Sequence, residues 1–465
     1  DIASAFSIKL TRDADLYIED EFSGNLVKKI KKNLQKRRTG LPSRFLYDHA
    51  MPARQLKYFQ EAFAIKKEDL MAGARYHNYS DLFTFPKIDS DDLEYEKLPQ
   101  LPHPELSLAK PMLPQLEKKD YLLHVPYQSY DYVLKFLNEA AEDPDVIAIK
   151  ITLYRVAQRS KVVSALVKAA QRGKEVTVFS EVKARFDELS NILSAEKLEK
   201  AGANVLYSLP GLKVHSKLCV VTKRKEEGLV RYGYLATGNF NENTAKLYQD
   251  IGLFTTNVAI LKEVNRVFKL LGSIESEAEY EELVVSPVQM RERFYKLIDK
   301  EIEAARKDQK AQMNLKMNSL EDKEMIKKLY EANNAGVQIR MVVRGICCLV
   351  PGVKGMSENI KVISIVDRYL EHARIYHFHH DGSDKVFLAS ADWMSRNLNR
   401  RVEVGFPIHD PDLKREIKDI FKIQFRDNVK ARNTNIQQNN RYRVGSKEVK
   451  HQSQLEIYEF YISLS

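Results

Sequence analysis

Cysteine is scarce. Three residues, Cys219, Cys347 and Cys348, in a chain of 465 exclude a disulfide framework and leave no cysteine set at zinc-binding spacing. The adjacent Cys347 and Cys348 read as buried small residues. Long apolar runs are also missing: none approaches the roughly 20 residues that a bilayer-spanning helix requires, and no secretory leader pattern opens the chain. Together these absences exclude a disulfide-stapled secreted domain and a helical membrane protein, and they imply a cytoplasmic one. No Gly-x-x-x-x-Gly-Lys-Ser/Thr string occurs, so a nucleotide, if bound, is held without a Walker-type loop.

What is present fits a soluble chain of two or three domains, with 44% hydrophobic and 30% charged residues. Lysine and arginine outnumber acids 74 to 64, a net +10 that favours anionic partners without naming one. The chain opens on Asp1 rather than Met, which reads as a start inside a longer protein. Phe22, Leu26, Ile30 and Leu34 recur at helical spacing, so residues 1–98 are expected to hold part of a helical domain, closed by a Pro-rich linker over 85–113. From there β-like runs alternate with helical ones. Val146 to Leu153, Gly173 to Phe179, Ala203 to Tyr207 and Val214 to Val221 are the expected strands, with helices over Ser160 to Ala170 and Leu189 to Ala201 between them.

The pattern recurs: Lys150, Gly173 and His215 find counterparts in Lys316, Gly336 and His372, at offsets of 166, 163 and 157 residues. Two tandem α/β domains with mostly parallel sheets follow, over 99–285 and 286–465. Each carries a histidine two residues before a cation, His215 before Lys217 and His372 before Arg374. On an extended strand the members of each pair share a face. Neutral imidazole is nucleophilic near pH 7 and the cation gathers phosphoryl oxygens, so the pairs suit attack on phosphorus in one site built from two halves. Arg155, Arg185 and Arg344 end β-like runs, where ligands of open α/β sheets bind. Asn239, in Thr237-Gly-Asn-Phe-Asn241, and Asn397, in Ser390-Ala-Asp-Trp-Met-Ser-Arg-Asn397, lie in matching loops downstream of each histidine and are expected to meet phosphate. His377, His379 and His380 do not read as a metal site, because His380 would face away from the other two on a strand.

A duplicated domain with a His-x-Lys strand and a downstream small-residue-plus-Asn segment resembles the phospholipase D superfamily. Longer strings, Gly211-Leu-Lys-Val-His-Ser-Lys217, Lys183-Ala-Arg-Phe-Asp-Glu188, Thr237-Gly-Asn-Phe-Asn-Glu242 and Val366-Asp-Arg-Tyr-Leu-Glu-His372, are similar to those of the bacterial polyphosphate kinases of the first type. That resemblance implies reversible transfer of the terminal phosphate of ATP to polyphosphate through a phosphohistidine at His215, with His372 as a second catalytic group. It places Tyr248, Arg344 and His372 on the nucleotide, and Arg155 and Arg185 at magnesium positions. A guanidinium cannot ligate a cation, so these two arginines are expected to hold phosphate oxygens that bind the Mg2+. ATP, ADP and polyphosphate are then the partners, nucleic acid is not, and a dimer or tetramer is implied; peripheral membrane association stays open. The family also has a further amino-terminal portion. Two rivals remain. A phosphodiesterase would need an aspartate where Thr222 stands, and a non-catalytic polyanion binder would leave both histidine segments unexplained.

Overall fold

The structure, a computed structural model, describes residues 4–12, 30, 42–86, 88, 93–157, 159–182, 188–207, 211–272, 279–443 and 449–464. Among them no helix is long and apolar enough to cross a membrane. The chain divides into two compact units, 1–96 and 97–465.

In the first unit Ile8–Arg12 runs antiparallel to Pro42–Asp48, which pairs in parallel with Leu70–Gly73 across the helix Ala53–Phe63. The helix expected around Glu19 to Lys36 falls, but for Ile30, outside the described residues. Among the described residues this unit holds that three-stranded sheet together with the helix Ala53–Phe63. The β-forming run Arg44-Phe-Leu-Tyr47 buries Phe45 and lacks helical spacing, so the strand wins locally.

The second unit consists of two α/β halves. In the first, Val146–Leu153, Glu175–Ser180 and Asn204–Tyr207 are parallel neighbours joined by the helices Lys161–Gln171 and Glu188–Lys200. In the second, Gln312–Met317, Gln338–Val343 and Ile360–Ile365 repeat the arrangement, with Lys323–Asn334 as the first crossover. The helix starts are those the sequence marks: the Ser160 hydroxyl accepts from the Val163 amide at 3.3 Å and the Asp322 carboxylate from Met325 at 3.0 Å.

The sheets are mixed rather than mostly parallel. Leu218–Lys225 joins Val146–Leu153 antiparallel and turns back into Gly228–Ala236 with Glu226 and Glu227 alone between them. A parallel return needs a crossover of a dozen or more residues, so this short turn dictates a hairpin. Arg374–Phe378 and Lys385–Ala389 make the corresponding hairpin in the second half.

Alternation along these strands builds three layers of core. Cys219 and Val221 face the helices of the first half with Ile149 and Ile151, whereas Leu218 and Val220 face a central core shared with Ile375, Leu388 and Val404 of the second half. Tyr376 and Phe378 point outward onto the second half's own helices. The two sheets are thus fused through a common apolar layer, each large side chain of which contributes about 1.5–3 kcal/mol on burial. Contrary to expectation, Cys348 is exposed and Cys347 half-buried, because they follow the strand Gln338–Val343 in a loop rather than extending it.

Candidate active site

The two histidines do not lie within strands. The segment expected as one strand from Val214 to Val221 breaks in the middle. Lys213–Val214 adds in parallel to Arg401–Pro407 of the other half, while Leu218–Lys225 belongs to its own sheet. His215, Ser216 and Lys217 form the step between the two. The amides of His215 and Ser216 both donate to the Val402 carbonyl at 3.0 Å. The second half mirrors this. Leu370–Glu371 adds to Tyr248–Thr255, and the amides of His372 and Ala373 donate to the Gln249 carbonyl at 3.1 and 2.8 Å. Each histidine is therefore carried across to the other half's sheet.

There it meets a carboxylate. Nδ1 of His215 lies 2.9 Å from both oxygens of Glu403, and Nδ1 of His372 lies 2.9 and 2.8 Å from those of Asp250. Each acid is steadied by a hydroxyl of its own half: Ser390 donates to Glu403, and Thr237 donates to Asp250 at 2.6 Å. Gly238 makes the second contact possible, since a Cβ there would sit 2.3 Å from Asp250 Oδ2. With Nδ1–H donating to a carboxylate, Nε2 of each imidazole keeps its lone pair.

Burial and neighbouring charges act on both pairs. Burial, together with the cations Lys217, Arg401 and Arg374, holds His215 well below its ordinary value, while burial raises Glu403. His372 is also lowered by burial, with Asp250 opposing and Arg374 adding to the effect. Burial pushes Asp250 up, but His372, Thr237 and Arg374 outweigh it and hold that carboxyl below its usual range.

Of the cations expected here, Lys217 is 2% exposed, donates to the His215 carbonyl and has no carboxylate partner among the described residues. Burial holds it well below the ordinary lysine value. Its counterpart Arg374 is compensated by Asp392 at 3.2 Å and donates to the His372 carbonyl at 2.9 Å. Arg344 donates to Asn318 and to the Glu371 carbonyl, and the Tyr248 ring lies 5.3 Å from that of His372. Arg155 reaches the site through Tyr154, whose ring lies 5.5 Å from its guanidinium and 4.7 Å from the His215 ring. Asn239 leaves its Oδ1 without a hydrogen-bond partner among the described residues. Asn397 donates to Glu403 and so lies beneath His215, behind the carboxylate. Arg185 falls outside the described residues. His377, His379 and His380 lie elsewhere on the second half, the first two beside Asp384.

Three family models match: the polyphosphate kinase middle domain over residues 1–85, C-terminal domain 1 over 111–279 and C-terminal domain 2 over 283–454. The polyphosphate kinase of Salmonella typhimurium is 41% identical over 467 residues, covering 100% of this chain and 68% of that protein. The chain belongs to the polyphosphate kinase family. That of Vibrio vulnificus is 41% identical over 461 residues, 99% of this chain and 66% of its own length. The crystal structure of polyphosphate kinase from Porphyromonas gingivalis superposes with a TM-score of 0.86 at 41% identity, covering 98% of this chain and 67% of that one. The chain thus spans about two thirds of the length of the curated relatives it matches.

Several residues of this polyphosphate kinase fold escape the sequence reading: the acids Asp250 and Glu403, their hydroxyl partners Thr237 and Ser390, and Tyr154. A signal for four of them existed. From Ala236 to Gly252 and from Ala389 to Gly405 the two halves align without a gap at a constant offset of 153, matching Thr237 to Ser390 and Asp250 to Glu403. The histidines sit at a different offset, 157, which hides that each acid serves the other half.

Proposed function

We propose that the chain carries the catalytic halves of a polyphosphate kinase, with His215 as the phosphorylated residue. The terminal phosphate of ATP passes to polyphosphate, and back, through this histidine. The observation that carries the reading is the crossed pairing of each histidine with a carboxylate of the other half, which commits Nδ1 of His215 to Glu403 at 2.9 Å and leaves its Nε2 free to attack. His215, held below its ordinary value by burial and the cations Lys217, Arg401 and Arg374, stays neutral and nucleophilic at Nε2. His372, against a firmly ionised Asp250, is the better proton carrier.

In the forward reaction His215 Nε2 attacks the γ-phosphorus in line. The N–P bond forms as the bridging P–O bond breaks, and ADP leaves with the electron pair. An oxygen of the polyphosphate terminus then attacks the phosphorus, releasing His215, and His372 takes up whatever proton that oxygen carries. Phosphoryl transfer depends mainly on positioning and charge neutralisation. Lys217, with no carboxylate within ion-pair distance among the described residues, is suited to a phosphoryl oxygen, and Arg374, Arg344 and Asn239 are assigned to the phosphates with it. Arg344, His372 and Tyr248 hold the nucleotide. Magnesium would be carried by the phosphates of the nucleotide, where it would neutralise their charge. Arg155 and Arg185 would meet phosphate oxygens that carry the ion. The setting is a homo-oligomer in the cytoplasm, with one histidine from each of 99–285 and 286–465.

The test is incubation with magnesium and γ-labelled ATP, followed by a polyphosphate chase. Acid-labile label that chases into polyphosphate and is lost in His215→Ala supports the reading. Label that persists in His215→Ala contradicts it.

A further inference from the structure

A basic groove lies on the second half away from the histidines. Cross-strand register sets His377 opposite Asn314, Asn314 opposite Arg340 and Arg340 opposite Lys361, so the four form one row on one sheet face. Neighbouring members are about 4.8 Å apart. Above the row runs the helix Pro411–Arg426, which repeats Lys414, Lys418, Lys422 and Arg426 at every fourth position. That spacing makes a cationic ridge about 18 Å long. The groove between them encloses about 560 Å³, and Asp384, held by His377 and Lys418, is the one carboxylate lining it among the described residues.

On the ridge Lys418, Lys422 and Arg426 pair with Asp384, Asp419 and Glu456, whereas the charge on the sheet and its edge is uncompensated. Lys310, Arg340 and Lys361 are exposed and have no acidic partner among the described residues. Arg340 and Lys361 stand directly opposite each other, an arrangement that destabilises a sheet unless an anion shields it. The groove is also distinct from the catalytic pocket. Along Gln312–Met317 the same face continues to Lys316, which is buried against Glu371 at 2.6 Å, and only beyond this plug comes Asn318 beside Arg344. From Asn314 to Asn318 is about 13 Å.

We propose that this groove is a second polyphosphate site, which holds the chain outside the catalytic pocket. The inference rests on polyphosphate being the substrate. An extended, base-free polyanion fits the groove better than nucleic acid does. Its aromatic surface is already occupied: the guanidinia of Arg340 and Arg443 lie 5.7 and 5.8 Å from the Phe425 ring centre, and Phe421 stacks on Phe425 at 5.9 Å. No platform remains on which bases can stack.

The test is equilibrium binding of long-chain inorganic polyphosphate to the whole chain over a series of KCl concentrations. Wild type is compared with Lys310→Ser/Arg340→Gln/Lys361→Ser and with a control, Lys200→Ser/Lys262→Ser/Lys269→Ser, on other helices. Three lost phosphate contacts should lower the slope of log affinity against log salt by about 2, and the control should not. Lys310→Arg/Lys361→Arg should bind as wild type, which separates charge from folding. A groove variant with the wild-type slope, or a control that loses as much, overturns the proposal alone. Wild-type protein that binds no polyphosphate overturns the substrate reading with it. Single-stranded nucleic acid of equal charge displacing polyphosphate from wild type at equal concentration also overturns the proposal.

Discussion

Replacing Glu403 by Gln should damage the first half-reaction far more than it damages folding. The carboxylate accepts from His215 Nδ1, Ser390 Oγ and Asn397 Nδ2, and Arg401 lies 3.9 Å away. Glutamine has one acceptor oxygen and must turn its NH2 toward one of these donors. If Asn397 rotates to accept, the tautomer of His215 survives and only the charge-assisted bond is lost. That costs about 3 kcal/mol, or roughly a hundredfold in rate. If instead the NH2 faces His215, Nδ1 becomes the acceptor, the proton moves to Nε2 and the nucleophile disappears, a loss on the order of 10⁴. Rapid-quench measurement of phosphoenzyme formation from labelled ATP should therefore fall by about 10²–10⁴, with the half-saturating ATP concentration nearly unchanged. A fall of less than about fivefold would refute the reasoning, since Glu403 would then not be orienting the nucleophile.

The companion Asp250→Asn should leave phosphoenzyme formation faster than Glu403→Gln does but slow the chase into polyphosphate, checked by the same quench. Gly238→Ala places a Cβ 2.3 Å from Asp250 Oδ2 and should displace that carboxylate, slowing chain extension by up to about a hundredfold in a coupled ADP assay. Lys316→Met strands Glu371, buried and 2.6 Å from the lysine, and should destabilise the protein by about 3–5 kcal/mol in denaturant titration; Lys316→Met/Glu371→Gln should recover part of it. His103 supplies a pH signature. Its Nδ1 accepts from the Glu105 and Leu106 amides and its Nε2–H donates to the Leu122 carbonyl at 2.9 Å, a fully used neutral ring. Burial takes it from 6.5 to about 4. The unfolded chain takes up the proton first, so this contribution is complete above pH 6.5, is lost progressively as pH falls toward 4, and amounts to about 3 kcal/mol. Denaturant midpoints of wild type and His103→Gln over that window should converge toward acid pH.

Much of this architecture was legible from local pattern. Ser160 and Asp322 mark helix starts one residue before the helices begin, and the doubled strand–helix–strand order with His215 and His372 shows the repeat. What was not legible lies in contacts between distant segments. An alternating apolar run assigns two faces to a strand but cannot show that the chain steps from one sheet to another at His215, because the step is set by the Val402 carbonyl, 187 residues away. The same holds for Glu403 and Asp250. Each looks like an ordinary strand acid in Arg401-Val-Glu-Val-Gly405 or Tyr248-Gln-Asp-Ile-Gly252, and only the crossed pairing brings it under a histidine. Parallel pairing was overestimated because helices between strands are conspicuous, while the turn Glu226-Glu227 is short and polar and carries no strong hairpin signature.

The central claim is that His215 accepts phosphate at Nε2, its Nδ1 being committed to Glu403. The most direct measurement is the position of phosphorus in the isolated phosphoenzyme, read by mass spectrometry of the labelled peptide and by phosphorus NMR of the intact protein. Phosphate on His215 bonded through Nε2 is the expected result. Phosphate on His372, or on Nδ1 of His215, would contradict the account.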